Sequence, residues 1–545
     1  MKQYKEDFRR IVSDKRFQIC VILTVILAFA YSAFQTTVGI DDLEVERYAR
    51  SGLVQLSAGR FTIPLLSVIA NYGGHAVENA FTLDFLGVLG LIWTAVNLCI
   101  LFRWICKEAL TNTACTVFAC VFVSYPLIME IWEYTGANLT VGFGYLCTSV
   151  ALLLMYRTIH GDRNWVLPVC SAVLMMLVCA AYESLVNVYI FVVFATLFLQ
   201  ILYGPEQEKK LKTILLQGIF YAAVLAAGLV LRLVVHKLIL TIGHLDPTIN
   251  GEASIYWFSR TPKEVILTIL AGFYHDYLLR GIVYFPITEL LISCAAMLVI
   301  GIVLAKKHGS ILLLPLFGMY FSLIALSLMQ GAATPYRACQ VFAVLVAFVF
   351  LLFFLLLDQG KNPKIRLIAL FLTGYLCFFQ ASYVNYFLTL NHMRSDHDAA
   401  IIQDIGDTLY EHYDVSKPIV FVGSGSLPDH IREAASIPET SIRWQLYRKL
   451  FLASEKLSAA RFSPEMLERK LPDTNVNSVV DFGIISFEQE SMQHLFCFYG
   501  YPYAQNGYRA YYDTAAQYVM EQQVPAYPQS GYIVDNGDYI LVHIQ

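Results

Sequence analysis

The sequence predicts a polytopic α-helical membrane protein of about 11 transmembrane helices with a small C-terminal extracytoplasmic α/β domain. Three observations predict it. Hydrophobic residues make up 57% of the chain and charged residues only 15%, a balance no soluble globular domain keeps. Apolar runs of about 20 residues, the length that crosses a bilayer as a helix, recur up to residue 390. Beyond that point the composition turns polar. The net charge of −4 leaves no polyelectrolyte footprint, so no nucleic acid partner is expected.

The N-terminus sets Lys2, Lys5, Arg9, Arg10, Lys15 and Arg16 ahead of an apolar run over 17–38. That run is too long for a cleaved signal and reads as a retained first span. Further spans are expected near 80–102, 112–131, 138–156, 165–182, 184–203, 213–236, 286–305, 310–330, 338–357 and 366–388. The short breaks at Arg103–Lys107, Arg157–Arg163, Lys209–Lys212, Lys306–Lys307 and Lys361–Arg366 are basic. Together with the N-terminus they hold about 18 Lys and Arg against about 8 in the alternate loops, so they face the cytoplasm by the positive-inside rule. The alternate loops are then extracytoplasmic, among them a long 237–285 connection. An odd span count puts the C-terminal region on the same outer side.

Residues 1–390 thus form the transmembrane domain, with a first outer loop at 39–79, and residues 391–545 the extracytoplasmic α/β domain. The latter contains a helix-like segment from His397 to Tyr410, a strand-like Pro418–Gly423, and a closing hairpin from Gly531 to His543. Asn536-Gly537 supplies the turn between its alternating strands. Of the 12 cysteines, only Cys497 lies in the polar C-terminal region. The rest are small core residues, with no disulfide framework and no paired metal-ligand spacing.

The first outer loop opens on Gly39-Ile-Asp-Asp-Leu-Glu44, two adjacent carboxylates where the chain leaves the bilayer. Val45, Tyr48, Ala49, Gly52, Leu53 and Leu56 follow at helical spacing, so Asp41 and Asp42 would open an amphipathic interfacial helix. Two readings stay open: Asp41 as a simple N-cap completed by Glu44, or an acidic pair placed for chemistry.

Charges in or beside the spans are costly in hydrocarbon and therefore informative. Asp84, Glu130, Glu133, Glu183, Arg232, His236, Glu289 and Arg337 all fall in the predicted outer half, as one outward polar cavity would require. Arg232, inside Leu229–Val235, needs an anionic partner, either a carboxylate or a ligand. Arg337, after Pro335-Tyr336, opens a span at headgroup depth, where a guanidinium suits a phosphate. Tyr182-Glu183 sits in a tight outer hairpin, and Trp132 and Tyr134 belong to an aromatic set that serves as an interfacial belt or a sugar platform.

Carboxylates, phosphate-seeking arginines and aromatics on one outer face suit attack of an acceptor hydroxyl on a sugar whose leaving group is a lipid phosphate. Phosphate leaves without a general acid, so one carboxylate base and cations suffice. A glycosidase would instead need two carboxylates flanking one bond. The alternative class is a transporter or flippase of lipid-linked sugars, which requires polar groups near the midplane and access from both sides.

The chain resembles the serotype-converting glucosyltransferase family (the Gtr type II group) within the multi-span C-type glycosyltransferase fold. The resemblance rests on Asp41-Asp42, Ser57-Ala-Gly-Arg60-Phe-Thr-Ile-Pro64, Ala181-Tyr-Glu-Ser184, Thr334-Pro-Tyr-Arg337, Lys417–Gly423 and Val524–Ile533. It implies a polyprenyl-phosphate-linked glucose or similar hexose as donor, used on the outer face of a bacterial cytoplasmic membrane to decorate a surface polysaccharide such as O-antigen. By the same resemblance Asp41 or Asp42 is the catalytic carboxylate, and Arg337 and Arg60 contact the donor phosphate. Adding the residue-level reading, Arg232 joins the phosphate contacts and Tyr182, Glu183, Glu133, Tyr336 and Trp132 the substrate site. No cofactor or metal site is expected, although related C-type enzymes can use a divalent ion.

Overall fold

The structure is a computed structural model. It describes residues 2–35, 37–39, 53–71, 79–132, 135–162, 164–246, 255–332, 334–360, 362–425, 427–435, 438, 440–457, 484 and 489–544.

Helix α1 (Lys2–Val12) is amphipathic and precedes the first apolar helix, α2 (Lys15–Phe34). Two short helices, α3 (Leu53–Ser57) and α4 (Thr62–Ile69), lead to α5 (Ala80–Cys106) and α6 (Asn112–Ser124). A one-turn α7 (Met129–Trp132) is followed by α8 (Thr135–Ile159), α9 (Val166–Ala181), α10 (Leu185–Tyr203) and the long α11 (Leu211–Gly243). Helix α12 (Pro262–Gly272) continues through a wide turn over Phe273–Leu279 and a tight one at Arg280–Ile282. Then come α13 (Phe285–His308), α14 (Leu313–Gln330), α15 (Val341–Gly360) and α16 (Pro363–His412).

Among the described residues ten helices are long and apolar enough to cross a membrane, and Asn112–Ile128 and Val166–Ala181 are shorter apolar helices. Each of the eleven expected spans falls on a helix. The expected loop over 237–285 is different: α11 runs on to Gly243, and Pro262–Ile282 is helical and one of the ten. Its two ends, however, meet the same end of the bundle. Trp257, just ahead of it, donates to the Leu328 carbonyl at 2.6 Å near the end of α14, and Arg280 stacks on Tyr336 just beyond that helix. This segment therefore lies across one end of the bundle rather than through it. Its apolar face misled no length rule; length and hydropathy simply do not distinguish a helix lying at the interface from one that crosses.

The bundle core is a continuous apolar cluster in which Leu91, Phe102, Phe118, Phe122, Phe191 and Phe348 are all fully buried. Helix α15 is buried on all sides over most of its length, whereas α11 and α16 present Leu233 and Phe371, 59% and 74% exposed, to the surroundings. An apolar exposed belt is what lipid covers. Helices α5 and α8 approach backbone to backbone: a Cβ on Gly90 would lie 2.5 Å from the Gly142 carbonyl oxygen, and one on Gly87 would lie 2.8 Å from that of Asn138. Small residues permit this approach, which supplies the van der Waals contact that drives helix association in lipid.

The basic end is fastened by polar contacts. Tyr4 donates to Asn97 (3.0 Å), Trp104 to Asp7 (3.0 Å), Asn112 to Asp14 (2.7 Å) and Thr111 to Asp358 (2.7 Å). At the other end α16, 50 residues long, leaves the bundle without a break at residue 390 and becomes the scaffold of the C-terminal region.

There β1 (Pro418–Gly423) is followed by α17 (Asp429–Ala435), α18 (Ile442–Leu457), α19 (Glu490–Phe498), β2 (Gln505–Asn506), α20 (Tyr508–Gln522), β3 (Ile533–Asp535) and β4 (Ile540–Ile544). The sheet order is β2-β1-β4-β3: β1 runs parallel to both β2 and β4, and β3–β4 is the antiparallel hairpin. Alternation decides its two faces. Ile419, Phe421, Ile540 and Val542 pack on Ile402, Ile405 and Leu409 of α16, while Val420 and Leu541 pack on Ala515 of α20. The sheet is thus seated on the same helix that emerges from the bundle.

Gly90→Val should lower the stability of the detergent-solubilised protein by about 1–3 kcal/mol, the range for an overpacked contact. The readout is an earlier thermal onset of thiol labelling at the buried Cys99 and Cys120. Gly374→Val, on α16 where nothing lies within 4 Å of the added carbon, should leave that onset unchanged.

Candidate active site

The end of the bundle that faces the C-terminal region gathers three polar groups of residues. The first is built where three chain segments turn. Helix α6 ends at Tyr125-Pro126 and α7 brings in Glu130; Tyr284 precedes α13; Tyr336 and Arg337 precede α15. Pro126, Pro286 and Pro335 punctuate these turns, each at a place where the helical hydrogen-bond ladder is interrupted. Tyr284 donates to Glu130 Oε1 at 2.5 Å, and Tyr125 donates to the Pro286 carbonyl at 2.5 Å. The Arg280 guanidinium lies 4.0 Å from the ring centre of Tyr336 and 5.1 Å from that of Tyr284, and it is electrostatically coupled to Glu130. The two rings are themselves 5.8 Å apart and tilted by 56°, so the guanidinium sits at the corner they make, drawn to their π faces. Glu130 Oε2 and Arg280 Nε are buried with no hydrogen-bond partner among the described residues. Arg337, exposed, acts on the same carboxylate from the rim. Its carbonyl accepts from the Gln340 amide at 2.7 Å, and Tyr145 in turn donates to the Gln340 carbonyl at 2.7 Å.

A second group adjoins through α7. Trp132 is buried, its indole N–H unpartnered among the described residues, and it lines a small pocket with Tyr31, Gln35, Thr37, Asp84 and Leu388. Asn138 donates to Asp84 Oδ1 at 2.5 Å. This pocket lies where the chain comes off α2. The Val38 N–H donates to Ser395 Oγ at 3.3 Å on the emerging part of α16, where Asn391, Arg394 and Asp398 share a buried face and Arg394 Nη1 stands 3.7 Å from Asp398 Oδ2.

The third group lies beside α3. Arg232 Nη2 bonds Glu183 Oε1 at 2.5 Å and the Ala58 carbonyl at 3.3 Å, and its Nε reaches the Gly59 carbonyl at 3.4 Å. His236 Nε2 bonds the Ser57 carbonyl at 2.9 Å. Gly59 has φ +74°, and a Cβ there would lie 3.0 Å from His236 Nδ1 and 3.1 Å from Arg232 Nη2. Only glycine suits that turn. Thr62 donates to the Leu177 carbonyl at 2.8 Å, so the whole 57–64 motif is fitted to α9 and α11.

Of the expected site residues, Asp41, Asp42 and Glu133 lie outside the described residues. Tyr336, Arg337 and Trp132 belong to the first two groups. Arg232 and Glu183 pair with each other, and Tyr182 is half-buried beside them, electrostatically coupled to Tyr145. Arg60 is half-buried on the same motif, its backbone N–H donating to the Gln55 carbonyl at 2.7 Å. Arg280, Tyr284 and Arg394 were absent from the expected set. The sequence carries a signal for Arg280, a lone guanidinium in Leu278-Leu-Arg-Gly-Ile-Val283, but it falls inside the 237–285 connection, where a charge costs nothing and draws no notice. Among the described residues no three His, Cys, Asp or Glu side chains come together as metal ligands.

A family model described as Glucosyl transferase GtrII matches residues 13–354 of the chain. That span includes every bundle residue of the first and third groups, so the class this architecture represents is a membrane glucosyl transferase. The chain belongs to the GtrII glucosyl transferase family. No curated protein and no solved structure matches it.

Tyr284→Phe should cost roughly 1.5–3 kcal/mol, the worth of a hydrogen bond to a charged group whose partner is left buried. Combined with Glu130→Gln, the loss should be smaller than the sum of the two single losses. A double-mutant cycle on thermal unfolding would measure that coupling, and strict additivity would mean the bond contributes nothing.

Proposed function

We propose that this family member moves a hexose, glucose in the first instance, from a polyprenyl-phosphate donor to a surface polysaccharide on the extracytoplasmic face of a bacterial inner membrane, the face carrying the C-terminal region. The supporting observation is the Arg280 guanidinium, set against the rings of both Tyr336 and Tyr284 near Glu130 and the rim residue Arg337, with its Nε lacking a hydrogen-bond partner among the described residues. A preorganised pair of cations at headgroup depth suits a leaving group that gains negative charge as the glycosidic bond breaks.

In this reading the acceptor hydroxyl attacks the anomeric carbon and the polyprenyl phosphate departs, its growing charge met by Arg280 and Arg337. Glu130, bonded by Tyr284, places a negative charge near Arg280. Asp41 or Asp42 takes the hydroxyl proton. The acidic stretch begins just after Val38, fixed to Ser395, and the loop returns at Ser57, fixed to His236, so both of its approaches are anchored. A single displacement inverts the anomeric configuration. Trp132 backs the site on the side where the chain leaves α2, and Arg60, Arg232, Tyr182 and Glu183 shape the far wall.

The test is sugar transfer by the protein in lipid, with labelled polyprenyl-phosphate glucose and a panel of polysaccharide acceptors. Removing the base by Asp41→Asn or Asp42→Asn should lower kcat by roughly 10²–10⁴ with donor binding retained. Arg280→Gln should lower it by roughly 10²–10³, with Arg280→Lys recovering part. Wild-type turnover in both Asp variants would remove the acidic pair from the mechanism, and donor crossing the bilayer without transfer would replace this reading with a transporter.

A further inference from the structure

Helix α18 touches the bundle through one face only. Trp444, Tyr447 and Phe451 pack on Leu279 and Val283, the residues that flank the Arg280 turn. About 130° round the helix from that seam, Ile442, Leu446 and Leu450 recur every four residues and are 86%, 48% and 39% exposed. At about 100° per residue they form a stripe about 80° wide, and the exposed Arg443 and Lys449 fall about 20° beyond its two edges.

An apolar stripe bordered by cations is poorly matched to water. It fits the headgroup boundary, where the stripe meets acyl chains and each cation reaches a phosphate. The position agrees. The segment beneath, Pro262–Ile282, lies across the end of the bundle with Ile266, Leu270 and Leu278 exposed at 49%, 58% and 40%, so the lipid-facing belt continues up to α18.

We propose that α18 is a membrane-surface helix, its Ile442–Leu446–Leu450 stripe seated in the leaflet on the side of the C-terminal region and its Arg443 and Lys449 on lipid phosphates. The helix then ties that region to the bilayer at the Arg280 turn, so a lipid-borne phosphate would arrive beside a guanidinium whose position α18 helps hold. A second copy of the chain or a soluble protein partner would cover the same stripe without lipid contact.

The experiment is photocrosslinking of the full chain in nanodiscs of phosphatidylethanolamine and phosphatidylglycerol. Leu446→p-benzoylphenylalanine and Leu450→p-benzoylphenylalanine probe the stripe, and Arg448→p-benzoylphenylalanine is the control on another exposed face. All three positions are exposed, so packing is retained. Irradiation should shift the mass of the 446 and 450 variants by one phospholipid and leave the 448 variant unshifted. Absence of a lipid adduct at 446 and 450, equal adducts at all three positions, or a covalent dimer would overturn the proposal. The readout does not involve sugar transfer, so it stands or falls apart from the proposed activity.

Discussion

The organising constraint of this protein is the cost of a guanidinium at the edge of hydrocarbon. Arg280 is only partly exposed and takes its neighbours from its own turn and two others: Tyr284 before α13, Glu130 after α6 and Tyr336 before α15. Placing a guanidinium near a buried carboxylate contributes little net stability, because desolvation offsets most of the Coulomb attraction, but removing one leaves the other less compensated. The arrangement therefore acts less as glue than as a register device. Three helix entries must meet at one point for these groups to be satisfied.

The Arg232–Glu183 pair solves a similar problem differently. It is more open, with the carboxylate about a third exposed, so screening reduces what the ion pair itself contributes. Its remaining bonds go to backbone carbonyls of Ala58 and Gly59. The guanidinium is thereby committed to holding a turn, which favours a shaping role over direct contact with a ligand. Among the described residues Arg280 retains a nitrogen without a hydrogen-bond partner, and Arg337 is exposed, which makes them the better matched pair for a transferred phosphate.

The C-terminal region is coupled to this chemistry through two connections of different kinds. Helix α16 is a rigid one, continuous from the bundle into the sheet, with Ser395 holding the chain as it leaves α2. Helix α18 is a packed one, aromatic side chains laid on the turn that carries Arg280. The approach to the acidic loop, at Val38, and the arginine turn are thus both touched by the C-terminal region.

Composition and run length alone determined that the chain is a helical membrane protein with a polar C-terminal α/β region, because burying backbone in lipid admits few solutions and those solutions have long apolar signatures. The closing hairpin was legible from Asn536-Gly537 between alternating strands, and Arg337 and Trp132 from the cost of charge and the habit of aromatics at an interface. Tertiary structure decided the rest. Whether Pro262–Ile282 crosses or lies flat depends on what its ends touch, Trp257 on Leu328 and Arg280 on Tyr336, and no local pattern carries that. Whether Arg232 has a nitrogen to spare depends on partners 49 and 173 residues away, and the surroundings of Arg280 depend on a Tyr284–Glu130 bond that spans 154. Hydropathy is a property of a segment and can be read in order; satisfaction of a buried charge is a property of a meeting point, and only the fold makes that.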